Sequence, residues 1–538
     1  MNRQYTLLRV ALAIVSGFAL GLAFPKFDFN LLAWVAFVPL LYAVEGQSLR
    51  AVVGLGWLQG MARHALSLYW IEITLHKFAG VNPMIAILPM LLLAAVLAIF
   101  SAVAFFASEF CSRRLRIPLF VTLPIAWTAV EWVQSFFPIG FPWNLVGYSA
   151  YRNLELIQFA EITGVYGVSF LILFFNAVVY TILFKRASRR AQMASLVSLT
   201  ALMVAVTVFG SIRVRQLDNE TADGKLRVAM VQGDIPQSIK WNPKFLESSY
   251  RVYADQTEMA AKRGVDLTIW PEAAAAFFFQ PDDRYPPDFS VDESYRTALL
   301  TLARTTGVPI LFGSPALEAR DGQVGFTNRA YLVSGQGAVV AWYDKIQLVP
   351  FGEYVPLHSI LGGLVNKIVK GFGDMIPGEV QTVFTVKGAR LGVLICYESV
   401  FPDLTRRVAN DGAEILVNIT NDAWYGTSSA PYQLLAMATM RSVETKLPMV
   451  RVANTGISAV IAPSGRITAP TPLFQRGTEI EDVSYRDRRT VYARVGDLFS
   501  ETCFVLLTAA LIVAWRRPRP LNPLEEHVAT ILATNGRH

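Results

Sequence analysis

Apolar positions along this chain fall into two regimes. Up to residue 211 they run in long stretches, near 7–23, 29–44, 51–74, 83–109, 117–137, 160–184 and 193–211, and one more follows at 500–515. A helix needs about 20 mostly apolar residues to cross a bilayer, so these stretches predict eight membrane spans. The third is the least secure, because His64, Glu72 and His76 interrupt it. The first has the length of a secretory signal, but it lacks a convincing small-x-small cleavage site and comparable segments follow at once, so it reads as a retained span.

From Lys225 the pattern changes to short β-rich runs alternating with amphipathic stretches. Strands are predicted at 226–232, 266–270, 308–313, 328–333, 339–343, 390–395, 414–419, 458–462 and 490–494, with helices at 245–262 and 402–410. Strands alternating with helices predict a layered α/β domain. The chain therefore divides into a membrane block at 1–211, a water-facing domain at 225–497, a closing span at 500–515 and a tail at 516–538.

Composition agrees: 53% of the 538 residues are hydrophobic and 17% charged, too apolar for an ordinary soluble enzyme. Charge adds an orientation. Arg3 and Arg9 precede the first span, Arg50 follows the second, Arg113, Arg114 and Arg116 follow the fourth, Lys185, Arg186, Arg189 and Arg190 follow the sixth, and Arg516, Arg517 and Arg519 follow the last. The intervening loops hold only Lys26, His76, Lys77 and Arg152. By the positive-inside rule both termini are cytoplasmic and the α/β domain lies on the opposite face. The net charge of +7 is mostly this loop bias, and no basic patch with groove-reading elements points to nucleic acid.

Three segments set polar residues directly after predicted strands: Trp270-Pro271-Glu272, Tyr343-Asp344-Lys345, and Leu394-Ile395-Cys396-Tyr397-Glu398. Taken singly, Glu272 and Lys345 read as solvated surface residues and Cys396 as a small buried hydrophobe. Together they make a chemistry. A cysteine between a strand and a helix start sits near unpaired N–H groups and the positive helix end, which lower a thiol's pKa, as does a nearby ammonium. The backbone donors can hold an oxyanion, a carboxylate can carry the thiol proton, and a lysine can counter both negative charges. Cys396 is also the one cysteine of the chain's three that falls in the external domain. The five histidines show no metal-ligand spacing, and only His358 lies in that domain.

At this point the residues resemble a known family. WPE, the DK of DKIQLVPFGEYVP and the CYES elbow, in this order, are similar to the nitrilase (carbon–nitrogen hydrolase) superfamily. VQGDIPQSIKW, WPEAA, LVPFGEYVP, CYESVFP, NITNDAWYG and RVANTGISAVI, with the flanking spans, resemble its apolipoprotein N-acyltransferase branch over nearly the whole chain. The resemblance implies an αββα sandwich attached to a multi-span helical membrane domain in a bacterial inner membrane. It implies Glu272 as general base, Lys345 as oxyanion stabiliser and Cys396 as nucleophile. It also implies Glu353 as a supporting glutamate, Tyr397 and Glu398 as pocket-lining elbow residues and Trp241 as an aromatic near the entrance. The implied donor is a phospholipid, the implied acceptor a diacylated apolipoprotein, and no cofactor or metal is implied. One departure is Leu434, where relatives often carry histidine.

The triad alone fits a membrane-tethered amidase or nitrilase equally well, and a non-enzymatic sensor or transporter is a further alternative. An intact triad argues against the last, and Glu72 and Glu131 are few polar groups for transport. The membrane block favours a substrate that lives in the bilayer. So does the apolar run at 273–279, and so does the helical spacing of Ile360, Leu361, Leu364, Val365, Ile368 and Val369, with Lys367 and Lys370 beside them. That second stretch reads either as an interfacial lid or as a core helix. Phe141-Pro142-Trp143 is expected in an interfacial aromatic belt.

Overall fold

The structure is a computed structural model that describes residues 3–78, 80–138, 140–185, 188–279, 293–320, 323–355 and 375–517. The expected lid at 360–370, His358 and the tail beyond 517 lie outside the described residues.

The amino-terminal part is helical. Among the described residues, five helices are long and apolar enough to cross a membrane: Gln4–Leu22, Pro83–Leu115, Val165–Leu183, Arg189–Asn219 and Leu498–Arg516. The other expected spans are shorter or broken. The 29–44 stretch splits into a 3-10 turn, Asn30–Trp34, and a short helix, Val38–Val44, where Pro39 in the first turn has no N–H to continue a helix from before it. The 51–74 stretch becomes Leu49–Ser67 and Trp70–Lys77. Arg63 and His64, on the first of these helices, are buried. The 117–137 stretch gives the shorter helix Leu119–Gln134, and in the 160–184 stretch the crossing helix Val165–Leu183 starts only after Gly164, whose φ is 66° and where a Cβ would meet the Tyr492 ring at 2.7 Å.

Among the described residues, the α/β domain holds two sheets of six strands. In the first, β1 (Gly224–Gln232), β2 (Leu267–Ile269) and β3 (Ile310–Arg320) run parallel. β4 (Gln323–Val333) and β5 (Val339–Asp344) extend it antiparallel, and a later strand at Gly477–Tyr485 closes the other edge beside β1. In the second, β6 (Val383–Val386) pairs antiparallel with β7 (Ala389–Ile395), which runs parallel to β8 (Ile415–Thr420) and β9 (Met449–Ala453). β10 (Ala459–Ile461) and β11 (Ile467–Thr468) complete it, which makes the Gly477–Tyr485 strand β12.

Strand alternation explains the layers. Leu226, Val228 and Met230 of β1 share one cluster with Leu391, Val393 and Ile395 of β7, so the sheets pack face to face. On the outer faces, Val231 packs with Tyr253 and Leu299 from helices Leu246–Ala261 and Glu293–Thr306. Leu394 packs with Leu404, Val408 and Ala438 from Pro402–Asn410 and Ala430–Thr445. Helix, sheet, sheet and helix form the four layers.

The sequence reading fails at 490–494, expected as a strand. Thr490 instead caps a short helix, Val491–Val495, by accepting from the Ala493 amide at 2.9 Å. A hydroxyl at an N-cap outweighs the β-propensity of the residues around it.

Candidate active site

Glu272 follows β2, Lys345 follows β5 and Cys396 follows β7, so two chemical groups come from one sheet and the third from the other. Carboxyl ends of parallel strands are where α/β folds place ligands, because side chains there leave the packed layers. Close packing also shapes the turn at Glu272. Gly313 lies behind it, and a Cβ there would come within 2.8 Å of the Glu272 Cα.

The Glu272 carboxylate is buried and held by both sheets. Asn328 of β4 donates from Nδ2 to Oε1 at 2.7 Å, and the amide of Asn421, just beyond β8, donates to Oε2 at 2.7 Å. Lys345 Nζ lies 3.6 Å from Oε1. The ammonium is fully buried and pairs more closely with Glu353 Oε1, at 2.7 Å. Glu353 is itself fixed by the Val349 amide, which donates to Oε2 at 2.8 Å. Burial works against charge on Lys345, but Glu353, then Glu272 and Cys396, overcome it and hold the ammonium above the ordinary lysine range.

Cys396 takes a left-handed conformation, φ 54°, at the first residue of a 3-10 turn, Cys396–Val400. Such strain in a non-glycine residue marks sites where the surroundings dictate the backbone. Asn418 of β8 supplies part of that constraint, donating to the carbonyls of Leu394 at 3.1 Å and Cys396 at 3.3 Å. The expected drop in thiol pKa does not occur. The elbow leads into a 3-10 turn and not directly into an α-helix, so the dipole behind the sulfur is short. Burial and then the Glu272 charge push the thiol up, and Lys345 offsets them only in part.

Glu398 is wholly buried, and protein donors occupy its carboxylate. Tyr343 Oη and the Ile346 amide each donate to Oε1 at 2.7 Å, the Gln347 amide at 3.1 Å, and the Ile395 amide to Oε2 at 2.7 Å. It thus ties the strand leading to Cys396 to the segment leading out of Lys345. Burial raises its carboxyl to about 7 against those hydrogen bonds. Tyr397 is buried and stacks on Trp143 at 6.2 Å and 24°. Trp241 is half-buried, its ring 6.0 Å from Lys240 Nζ.

Two expectations about apolar segments are corrected here. Trp143 is fully buried and belongs to no lipid-facing belt: its Nε1 donates to Gln433 Oε1 at 2.8 Å, and Gln433 Nε2 donates to the Ser67 carbonyl at 3.0 Å. One glutamine of the α/β domain thereby joins two helical-block segments beside the elbow. In the run at 273–279, Ala274, Ala275, Phe277 and Phe279 belong to the core beneath the Glu293–Thr306 helix, so that run is packing and not a lipid-facing loop. Leu434 is core as well.

Lys240, Asn328, Asn421 and Asn418 were not foreseen as site residues. Asn421 lies within NITNDAWYG and Lys240 within VQGDIPQSIKW, two of the segments that carry the resemblance.

Residues 227–492 match the carbon-nitrogen hydrolase family, and residues 16–178 match the apolipoprotein N-acyltransferase N-terminal domain. An apolipoprotein N-acyltransferase of Geobacter metallireducens is 38% identical over 94% of this chain and 95% of its own length. One of Bradyrhizobium diazoefficiens is 31% identical over 95% of each chain. Among solved structures, an amidase from Nesterenkonia sp. aligns with 52% of this chain and 95% of its own at 21% identity and a TM-score of 0.37, too low to carry weight. Full-length similarity at this level, over both the helical block and the hydrolase-like domain, shows that the chain belongs to the apolipoprotein N-acyltransferase family.

Proposed function

We propose that this chain is a bacterial inner-membrane enzyme that moves a fatty acyl group from a phospholipid, through a thioester on Cys396, to the α-amino group of the diacylglyceryl-cysteine that begins an apolipoprotein. The observation that carries this reading is the buried Glu272–Lys345–Cys396 constellation, whose elbow stacks through Tyr397 on Trp143 of the helical block.

In the first half-reaction Glu272 takes the Cys396 proton as sulfur attacks the donor ester carbonyl. Lys345 counters the negative charge on the tetrahedral oxygen. Collapse breaks the carbon–oxygen bond, and Glu272 returns the proton to the departing lysophospholipid alkoxide. In the second half the free amine attacks the thioester, Glu272 takes a proton from nitrogen, and the carbon–sulfur bond breaks with that proton restored to sulfur. A thiol whose pKa is raised suits a base-assisted attack better than a standing thiolate. Glu353 would position Lys345, Glu398 the elbow, and Tyr397 and Trp241 the substrate chains.

Eight crossings, with both termini cytoplasmic and the catalytic domain periplasmic, complete the proposal. Contacts at the two ends of the block support that orientation. At one end Arg113 donates to the Gln47 carbonyl at 2.5 Å and Arg114 to the Arg517 carbonyl at 3.3 Å, which gathers basic loops together. At the other, Lys26 donates to the Thr427 carbonyl at 2.9 Å and Thr74 to the Trp424 carbonyl at 3.1 Å, which sets the charge-poor loops against the external domain.

Intact-mass spectrometry of the full chain after incubation with phospholipid tests the chemistry. The expected result is an acyl-sized gain absent from Cys396→Ala and discharged by a diacylated lipopeptide to a triacylated product. An adduct that only water discharges would instead make the protein a hydrolase that uses the same triad with water as acceptor.

A further inference from the structure

Lys240 has no part in the steps above. It closes the short helix Gln237–Lys240 beyond β1, is 3% exposed, and donates from Nζ to the Glu272 main-chain carbonyl at 3.1 Å. Among the described residues it makes no ion pair, so one carbonyl and the face of the Trp241 ring are all that its ammonium has for the loss of water. An unpaired buried lysine is costly, and a methionine would fill the space without that cost. The charged and titratable groups that face it are Glu272, at the end of β2, and Cys396, at the end of β7. Burial lowers its ammonium to about 8, with those two groups opposing the shift.

The carbonyl it holds belongs to a strained turn. Ala273, the next residue, has φ 48°, a conformation that costs a non-glycine residue about 1–2 kcal/mol. The turn therefore needs external contacts to keep Glu272 in place, and the Lys240 hydrogen bond is one of them.

We propose that Lys240 is a positioning residue for acyl transfer: it pins the turn that presents Glu272, and it adds a second positive charge, beside that of Lys345, that favours the Cys396 thiolate. The proposal rests on the acyl-transfer reading for its consequence but not for its electrostatics. Lys240 keeps its protons throughout; the thiol proton passes to Glu272 as above.

The test uses the full chain with Cys111 and Cys503 replaced by alanine, and two readouts. The first is the rate of Cys396 alkylation by iodoacetamide in phospholipid-free detergent between pH 6 and 10. The second is the rate of acyl mass gain from added phosphatidylethanolamine. Loss of a charged hydrogen bond predicts that Lys240→Met slows both about ten- to a hundredfold at pH 7. The alkylation deficit should shrink above about pH 8, where the native lysine loses its own charge. Lys240→Arg, which keeps the charge, should recover most of the alkylation rate, and Lys240→Gln should not. Should the methionine variant unfold, the arginine–glutamine comparison decides. Alkylation that is indifferent to charge at this position, or equal in the Arg and Gln variants, overturns the proposal. Charge-dependent alkylation in a protein that takes no acyl group would uphold the role of Lys240 and remove the acyl-transfer reading.

Discussion

The main-chain amide of Asn421, from the second sheet, donates at 2.7 Å to the carboxylate of Glu272, from the first. The proposed base is thus held across the seam between the sheets, with Asn328 fixing its other oxygen at 2.7 Å. A hydrogen bond to a charged group contributes about 1.5–3 kcal/mol. Asn328→Ala should therefore slow acylation of Cys396 about ten- to a hundredfold while leaving the folded chain intact. The rate of acyl mass gain, read beside the melting temperature, checks this; an unchanged rate would mean that the Asn421 amide alone orients Glu272.

The raised thiol pKa has a direct kinetic consequence. Burial and the Glu272 charge favour the protonated form, so at neutral pH the reactive thiolate is scarce and its fraction grows as pH rises beyond the ordinary thiol range. Alkylation of Cys396 by iodoacetamide should be slow at pH 7 and still climbing above pH 9. Lys345 is the main group pulling the other way, so Lys345→Met should slow alkylation further at every pH. A plateau reached near pH 7 would instead mean a standing thiolate.

The three residues of the proposed triad stand out in the sequence because each follows a strand that hydrophobic runs announce: 266–270, 339–343 and 390–395. Other parts carry no such mark. Helix Ala430–Thr445 went unread because nearly every one of its residues is buried, which erases the polar face that periodicity needs. Strand β12, with Glu479, Glu481 and Asp482, pairs at the sheet edge and looks too acidic for a strand. Asn328 and Lys240 act through partners 56 and 32 residues away, a relation that local pattern cannot express. Trp143 read as a belt residue because an aromatic at the end of an apolar stretch looks the same whether lipid or protein covers it.

Behind the elbow lies a buried ion pair. Arg451 Nη2 meets Asp422 Oδ2 at 2.8 Å with both side chains fully buried, and Arg451 also donates to Asn418, the residue that holds the Cys396 carbonyl. Asp422→Asn strands the guanidinium and should cost about 3–5 kcal/mol of stability. Replacing both partners by apolar residues, as in Arg451→Met with Asp422→Leu, should restore much of that stability. It should not restore acylation, because Asn418 then loses its anchor. Denaturation midpoints and acylation rates of the two variants separate the two effects; a double variant as unstable as the single would show that the pair is needed for more than neutralisation.

Orientation can be read by labelling. Lys77, at the end of the helix whose Thr74 meets the α/β domain, and Arg116, among the gathered basic residues, are both exposed. In a chain with Cys111, Cys396 and Cys503 changed to alanine, Lys77→Cys should react with a membrane-impermeant maleimide in intact spheroplasts. Arg116→Cys should react only after the membrane is opened. The reason is the distribution of charge: cationic loops resist translocation, so Arg113, Arg114 and Arg116 are expected to stay cytoplasmic and the loops facing the α/β domain to cross. The reverse labelling would place the catalytic domain in the cytoplasm, out of reach of an acceptor displayed on the outer leaflet, and would remove the proposed substrate along with the topology.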